Sequence, residues 1–216
     1  EKVLAQSIEE LLLISKCIGE SDNVWVNTPR RIMPWFREIK SKIREKYEPI
    51  KIVVEGGDWG LACNAIHFID LFSWITGSDV LKISHSDIEY WMPSKREGYF
   101  EAVGKFKILF KDKSSLLLFC SNKKSDINIS IDNPNGTWFI NEKKGLAIGP
   151  NKEIVNGEKI YQSQLTCEVV TEIFKTGSCY LPSLEESTRQ HIKMIEAFLN
   201  SWNSIYKKND SFIKIT

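Results

Sequence analysis

The chain has 216 residues, of which 29 are basic and 28 acidic, and its formal charge is +1 without a long run of either sign. This balance argues against a nucleic-acid interface and a polybasic membrane patch, and no apolar run is long enough to span a bilayer. Five cysteines without a CxxC pair indicate reduced thiols in a cytoplasmic protein.

The first third of the chain alternates helical and strand-like segments. Ser7 and Glu10 form a capping box at the start of the first helix, and Gly19 is positioned to end it. Pro34 is a favourable first residue for the second helix, and Gly77 closes the third. The segments predicted here are helices at 8–18, 35–46 and within 56–77, and strands at 24–26 and 50–54.

From Val80 to about Val155 the helical period disappears, and short strand-like runs follow one another. Turn signals such as Pro134-Asn135-Gly136 separate these runs, and short turns favour antiparallel neighbours. The run at 116–119 is apolar on both faces, so we expect it at the centre of the sheet and covered on both sides. The predicted strands lie at 81–91, 100–110, 115–121, 127–132, 137–141 and 146–148.

The last quarter of the chain is predicted to be mainly helical. One helix is expected at 161–175, and Ser183 with Glu186 forms a second capping box for a helix that extends to about Tyr206. A last edge strand is predicted at 212–215. The sum is an α+β fold: an open, mostly antiparallel sheet of roughly five to seven strands with helices on one face. The other face stays apolar, and we expect a second copy of the chain to cover it.

The stretch GGDWGLACNAIHFIDLFSWITG, at 56–77, contains the strongest candidate site. Cys63, His67, Asp70 and Trp74 follow at steps of four, three and four residues, which places them on one face of a helix. His67 can take or give a proton near neutral pH, and Asp70 could fix its tautomer. A structural histidine in a capped amphipathic helix fits the same spacing, so the pattern alone leaves both interpretations open.

Three kinds of chemistry fit these residues. A metal site at Cys63, His67 and Asp70 would lack a fourth ligand and would mix a soft donor with a hard one. A cysteine nucleophile with a histidine base is disfavoured because side chains four apart on a helix point outward, not at each other. A general base that faces a cleft needs the least additional structure. The turn lacks GxGxxG spacing, so no complete dinucleotide-binding motif is present.

Other side chains are candidates for ligand binding. Arg30 and Arg31 follow a predicted strand and could hold a hydroxyl-rich or acidic ligand, although a surface charge pair is the commoner role. Trp59 could stack on a sugar ring, although tryptophans are more often core residues. The side chains assigned to solvent or to structural roles are His85, Lys95, Arg96 and His191.

Four stretches, in order, resemble the glucose-fructose oxidoreductase/inositol dehydrogenase (Gfo/Idh/MocA) family. EKVLAQSIEELLLIS is similar to the EKP segment and helix that end the family's nucleotide-binding domain, and VWVNTPRRIMPWFREIK to the start of its second domain. GGDWGLACNAIHFIDLFSWITG resembles the family's G-G…D-x-x-x-H-x-x-D motif, and LPSLEESTRQHIKMIEAFLNSW its C-terminal helix.

The resemblance implies an NAD(P)-dependent oxidoreductase that acts on a sugar or sugar-nucleotide hydroxyl. Residues 1–22 would be the tail of a nucleotide-binding domain, and 23–216 the domain that binds substrate and forms a homodimer or homotetramer through the sheet face. NAD or NADP would be bound mainly by sequence upstream, so we expect this fragment alone to be inactive. The alternative is a non-catalytic ligand-binding and dimerisation module.

The resemblance also implies roles for individual residues. Lys2 matches the EKP lysine beside nicotinamide and substrate, and would polarise the reacting oxygen. His67 matches the acid/base histidine, and Asp70 the acidic residue three positions later.

Two positions depart from the family's pattern. Val3 replaces the proline of EKP, and Cys63 replaces an aspartate that many members carry four positions before the histidine. Asn64 is the neighbouring polar residue, but it points about 100° away around the helix.

Overall fold

The computed structural model describes residues 3–18, 23–43, 48–157 and 162–215. Five α-helices and nine strands lie in these ranges. The helices are α1 (Ile8–Ile18), α2 (Pro34–Ile43), α3 (Leu61–Thr76), α4 (Gln162–Thr176) and α5 (Leu184–Tyr206), with short 3₁₀ helices at Pro29–Ile32 and Pro150–Lys152. The strands are β1 (Lys51–Gly57), β2 (Val80–Ser84), β3 (Ile88–Pro93), β4 (Phe100–Phe110), β5 (Ser115–Ser121), β6 (Ser125–Asn133), β7 (Gly136–Asn141), β8 (Leu146–Ile148) and β9 (Ile154–Asn156).

The strands form one open sheet in the order β2-β4-β5-β1-β6-β7-β8-β9, and β3 pairs with β4 beyond the end of β2. Every pairing is antiparallel except that of β1 with β5, which run parallel. The predicted α+β class is confirmed. The sheet has more strands than expected because the run at 81–91 is interrupted at His85–Asp87, where two strands separate, and because β9 was not anticipated.

Helices α3 and α5 cover one face of the sheet, and the core lies between them and the central strands. Phe106 of β4 stacks on Phe198 of α5 with ring centroids 4.3 Å apart. Leu116 and Leu118 of β5 are buried beneath α3, while Leu117 on the opposite face is only half-buried. The predicted central position of β5 is therefore confirmed, with helices on one of its two faces. No helix in the described part of the chain is both long and apolar enough to cross a membrane.

Backbone groups near both ends of the described chain form hydrogen bonds with α5 and β4. His191 of α5 is fully buried, and its Nε2 accepts the Leu4 N–H at 3.3 Å. The Phe100 N–H donates to the Lys214 carbonyl at 2.8 Å. His191 therefore has a structural role, one of the two that the sequence left open for it. The serine half of both capping boxes is also confirmed, since Ser7 and Ser183 accept the N–H groups of Glu10 and Glu186. The glutamate side chains bind elsewhere, Glu10 to the Gln6 N–H and Glu186 to Arg31.

Two of the predicted strands are wrong. The segment 24–26 makes only an isolated bridge, from Trp25 to Ser183 at the start of α5. The segment 212–215 is not a strand, although it hydrogen-bonds to β4 at one point. Apolar and β-branched side chains are buried in both segments, but neither lies along a free strand edge that would extend the ladder.

The end of β1 requires a glycine. The pairing of β1 with β6 shifts register between Glu55 and Gly57. A Cβ at Gly57 would lie 1.5 Å from the carbonyl oxygen of Lys123, so only glycine fits there without moving the backbone.

We therefore expect Gly57→Ala to lower the free energy of unfolding by about 3 kcal/mol or more, because the added methyl overlaps main-chain atoms. Chemical denaturation measures this loss. Gly98→Ala is the matched control, since Gly98 meets no heavy atom within 4 Å and has a φ of +77°. The free energy of unfolding of the control should fall by only about 1–2 kcal/mol, which is the cost of placing alanine in a left-handed backbone conformation. Equal losses in the two variants would contradict the packing described at Gly57.

Candidate active site

The site begins at the turn that joins β1 to α3. Asp58 and Gly60 both have positive φ angles, of 53° and 73°, and the Asp58 N–H donates to the carbonyl of Ser121 at 2.9 Å. The Asn64 side-chain amide donates to the Trp59 carbonyl at 2.7 Å. These bonds hold the turn at the carboxyl ends of the parallel strands β1 and β5, which is where open α/β sheets commonly place a ligand.

A cavity of about 490 Å³ opens at this turn. Trp59, Cys63 and Asn64 form one side of it, so three residues singled out in the sequence are brought together. Glu101 and Cys120 contribute from β4 and β5. The loop between β3 and β4 forms the rim, with Lys95 and Arg96, which the sequence had assigned to solvent.

Glu101 is the site residue that sequence reasoning missed. It lies near the start of β4, and its Oε2 accepts the N–H of Ala62, in the first turn of α3, at 2.8 Å. A carboxylate is favourable there because the amino end of a helix carries unsatisfied N–H groups and partial positive charge. No local motif marks Glu101, since only the pairing of β4 beside β5 brings it to α3.

Two cysteines lie in the cavity wall. The Cys63 sulfur is 3.1 Å from the Asn64 amide nitrogen and 3.5 Å from the Gly60 carbonyl. Burial raises the pKa of the Cys120 thiol, against the opposing effect of backbone N–H groups in the turn 58–61. Cys120 therefore stays protonated at neutral pH and acts as a packing residue of the cavity wall.

His67 lies on α3, one helical turn beyond Cys63, and is 7% exposed. It belongs to the buried side of the helix and leaves little of its ring open to solvent. Lys2, which the resemblance places beside the nicotinamide and the substrate, lies outside the described residues.

Asp70 makes a buried ion pair that the sequence did not predict. Its Oδ2 accepts hydrogen bonds from Thr28 Oγ1 at 2.7 Å and from Arg31 Nε at 3.0 Å, and its Oδ1 accepts from Arg31 Nη2. Burial raises the pKa of the Asp70 carboxyl to about 6, while Arg31 and Thr28 act to lower it. Both oxygens therefore bind the segment before α2, whereas the sequence hypothesis paired this carboxylate with His67.

The two arginines proposed for ligand binding both pair with carboxylates of the chain itself. Arg31 is 5% exposed, and its Nη2 also donates to Glu186 at 2.7 Å. Arg30 forms two hydrogen bonds with Glu142, at 2.7 and 3.1 Å, and its guanidinium lies 4.2 Å from the Phe68 ring centroid. Neither arginine is among the described residues that line the cavity. Their geometry is that of residues that hold segment 28–32 on α3.

The metal-site alternative finds no support in this geometry. Asp70 is committed to Arg31 and Thr28. Within the ranges that the structure describes, no three His, Cys, Asp or Glu side chains are grouped so that they could hold a metal ion.

The fold is similar to that of several solved oxidoreductases. UDP-N-acetylglucosamine 3-dehydrogenase GnnA from Acidithiobacillus ferrooxidans superposes with a TM-score of 0.63 at 10% identity, over 81% of this chain and 60% of that one. An oxidoreductase from Thermotoga maritima superposes with a TM-score of 0.69 at 13% sequence identity, over 92% of this chain and 67% of that one. Aldose-aldose oxidoreductase from Caulobacter crescentus superposes with a TM-score of 0.65 at 14% sequence identity, over 92% of this chain and 67% of that one.

These similarities establish that the chain shares its α+β fold with parts of these three oxidoreductases. The chain spans 60% of the length of GnnA, so about two fifths of that protein has no counterpart here. No protein-family model matches the sequence, and no curated protein matches it either.

We expect Asp70→Asn to lower the free energy of unfolding by about 3 kcal/mol, because it removes the more deeply buried of the two carboxylates that pair with Arg31 and leaves only Glu186. Urea denaturation near pH 8, where Asp70 is ionised, measures the loss. Asp79→Asn is the control, since Asp79 forms an exposed pair with Lys111 and should lose about 1 kcal/mol or less. If Asp70→Asn costs no more than Asp79→Asn, the ion pair does not hold segment 28–32 on α3.

Proposed function

We propose that this chain is the substrate-binding part of an NAD(P)-dependent oxidoreductase that acts on a hydroxyl of a sugar or sugar nucleotide. The observation that carries the proposal is the cavity at the start of α3, one helical turn from His67, in a fold shared with solved oxidoreductases. Its wall combines an indole, an amide and a carboxylate, which suits a hydroxyl-rich ligand.

The nicotinamide would supply the hydride acceptor, but the described residues form no cradle for a dinucleotide. The turn GGDWG lacks the spacing of a phosphate-binding motif, and bulky Trp59 occupies it. The cofactor would therefore be held by other sequence, and this chain alone would be inactive. What remains for these residues is to bind the substrate, to exclude water and to move its hydroxyl proton.

His67 is the residue that we assign to that proton. An imidazole side chain can take or give a proton near neutral pH, and His67 lies one helical turn from Cys63 in the cavity wall. Lys2 would polarise the same oxygen, as the resemblance implies. The substrate-binding role that the sequence gave to Arg30 and Arg31 becomes indirect here, since both hold the segment that packs against α3.

The competing proposal is a ligand-binding and dimerisation module without catalysis. The low exposure of His67 and the internal pairing of both arginines favour it. A test of His67 in the complete protein separates the two.

In the complete protein, we expect His67→Asn to lower kcat by about 10²–10⁴-fold and to leave the affinity for NAD(P) unchanged, because a positioned acid/base contributes about that much. The readouts are the absorbance of reduced nicotinamide and cofactor titration by fluorescence. His85→Asn, on the loop between β2 and β3, is the matched control and should be neutral. Unchanged turnover in His67→Asn removes this residue from the mechanism and favours the binding module.

The oligomer belongs to the same proposal. A row of paired residues crosses the uncovered sheet face from Leu117 through Val53 and Ser130 to Phe139 and Ile148. Phe139 is 60% exposed and Ile148 is 40% exposed. Because contiguous exposed apolar surface is unusual on a monomer, we propose that a second copy of the chain covers this face, as a homodimer or a homotetramer.

We expect Phe139→Glu to shift the protein from dimer or tetramer towards monomer, since it places a charge at the centre of the proposed interface. Light scattering after size exclusion measures the molar mass. Phe174→Glu is the control, because Phe174 on α4 is 87% exposed and lies off the sheet. A wild-type monomer, or a Phe139→Glu oligomer as stable as the control, would rule out this face as the interface.

A cytoplasmic location also remains part of the proposal. None of the five cysteines, all of which lie in the described ranges, forms a disulfide, which suits a reducing compartment.

A further inference from the structure

Three polar atoms, two from α3 and one from β4, lie close together beside Gly60. A Cβ built on Gly60 would lie 2.9 Å from Cys63 Sγ, 3.0 Å from Asn64 Nδ2 and 3.2 Å from Glu101 Oε1. A thiol, an amide and a carboxylate therefore pack closely around Gly60 in one small region of the cavity wall. A side chain at position 60 would crowd these three groups, and the left-handed φ of 73° also favours glycine.

The carboxylate in this cluster does not come from the motif helix. Position 63 holds a cysteine, where the resembling family often has an aspartate, so the helix contributes no acid before His67. Glu101 reaches the same region from β4, and it lines the cavity together with Cys63. Its two oxygens have different surroundings: Oε2 accepts the Ala62 N–H, and Oε1 is the oxygen nearest Gly60.

We propose that Glu101 is a substrate-binding residue that supplies from β4 the carboxylate that position 63 lacks, and that it accepts a hydrogen bond from a substrate hydroxyl in this cavity. The inference rests on the proposed function, because it takes this cavity as the substrate site. The hydrogen bond to Ala62 fixes the carboxylate group, so little side-chain freedom is lost when a ligand binds.

A purely structural cap predicts something different from a binding carboxylate. Glutamine can accept the Ala62 N–H through its amide oxygen, so a cap survives Glu101→Gln with little change. A hydroxyl bound to a charged acceptor is held more strongly than one bound to a neutral amide. Removing the charge of Glu101 therefore distinguishes a binding carboxylate from a structural cap.

The test uses the complete protein, with D-glucose and UDP-N-acetylglucosamine as the hydroxyl-bearing probes. We expect Glu101→Gln to raise KM by about 10- to 100-fold with kcat and melting temperature nearly unchanged, as expected when an interaction is equally strong in ground and transition states. Glu97→Gln, which removes a carboxylate from the neighbouring loop, is the matched control and should be neutral. The double variant Cys63→Asp/Glu101→Gln returns a carboxylate to the same region and should recover at least tenfold in KM.

If the wild type turns over a probe but Glu101→Gln has the same KM, the inference is overturned and the proposed function stands. If neither probe is turned over, calorimetric titration of the same probes decides. If the wild type binds a probe and Glu101→Gln weakens that binding tenfold or more, the inference is supported although the proposed reaction fails. Equal binding in the two proteins, or no binding to the wild type, overturns it.

Discussion

The sharp turn at 57–60 is the constraint on which the site depends. Gly57 has no room for a side chain beside the Lys123 carbonyl, and Gly60 bends the chain through a left-handed φ into α3. Because β1 runs parallel to β5, the carboxyl ends of both strands meet the amino end of α3 at this turn. Backbone donors, two thiols and a carboxylate from β4 are thereby brought to one cavity.

A buried charge cluster fixes the opposite side of the same helix. Asp70 binds Arg31 and Thr28, and Arg31 also binds Glu186 at the start of α5. Paired charges in a low-dielectric interior are costly to separate, so this cluster joins segment 28–32, α3 and α5 into one rigid unit. His67 lies on α3 between Cys63 and Asp70, so the acid/base group proposed above would have a fixed position on a rigid element.

Much of the fold could be predicted from the sequence because local patterns decided it. The helix caps at Ser7 and Ser183, the helix closed by Gly77 and the strand at 100–110 all depend on neighbours in the chain. The site could be predicted only in part, for the opposite reason. Trp59, Cys63 and Asn64 lie on one local motif and were found, whereas Glu101 reaches the cavity only through strand pairing. The spacing of Asp70 and His67 predicted that these two residues pair. In the folded chain Asp70 pairs instead with Arg31, which is distant in sequence.

We propose that the cavity at the start of α3 receives the substrate with its reacting hydroxyl towards His67. A crystal structure of the complete protein with nicotinamide and a bound sugar would locate both ligands. We expect sugar hydroxyls within hydrogen-bonding distance of Glu101 and Asn64, and the oxidised carbon between His67 and the nicotinamide ring. A sugar bound away from this cavity, or a His67 ring that points from it into the core, would overturn the proposed function.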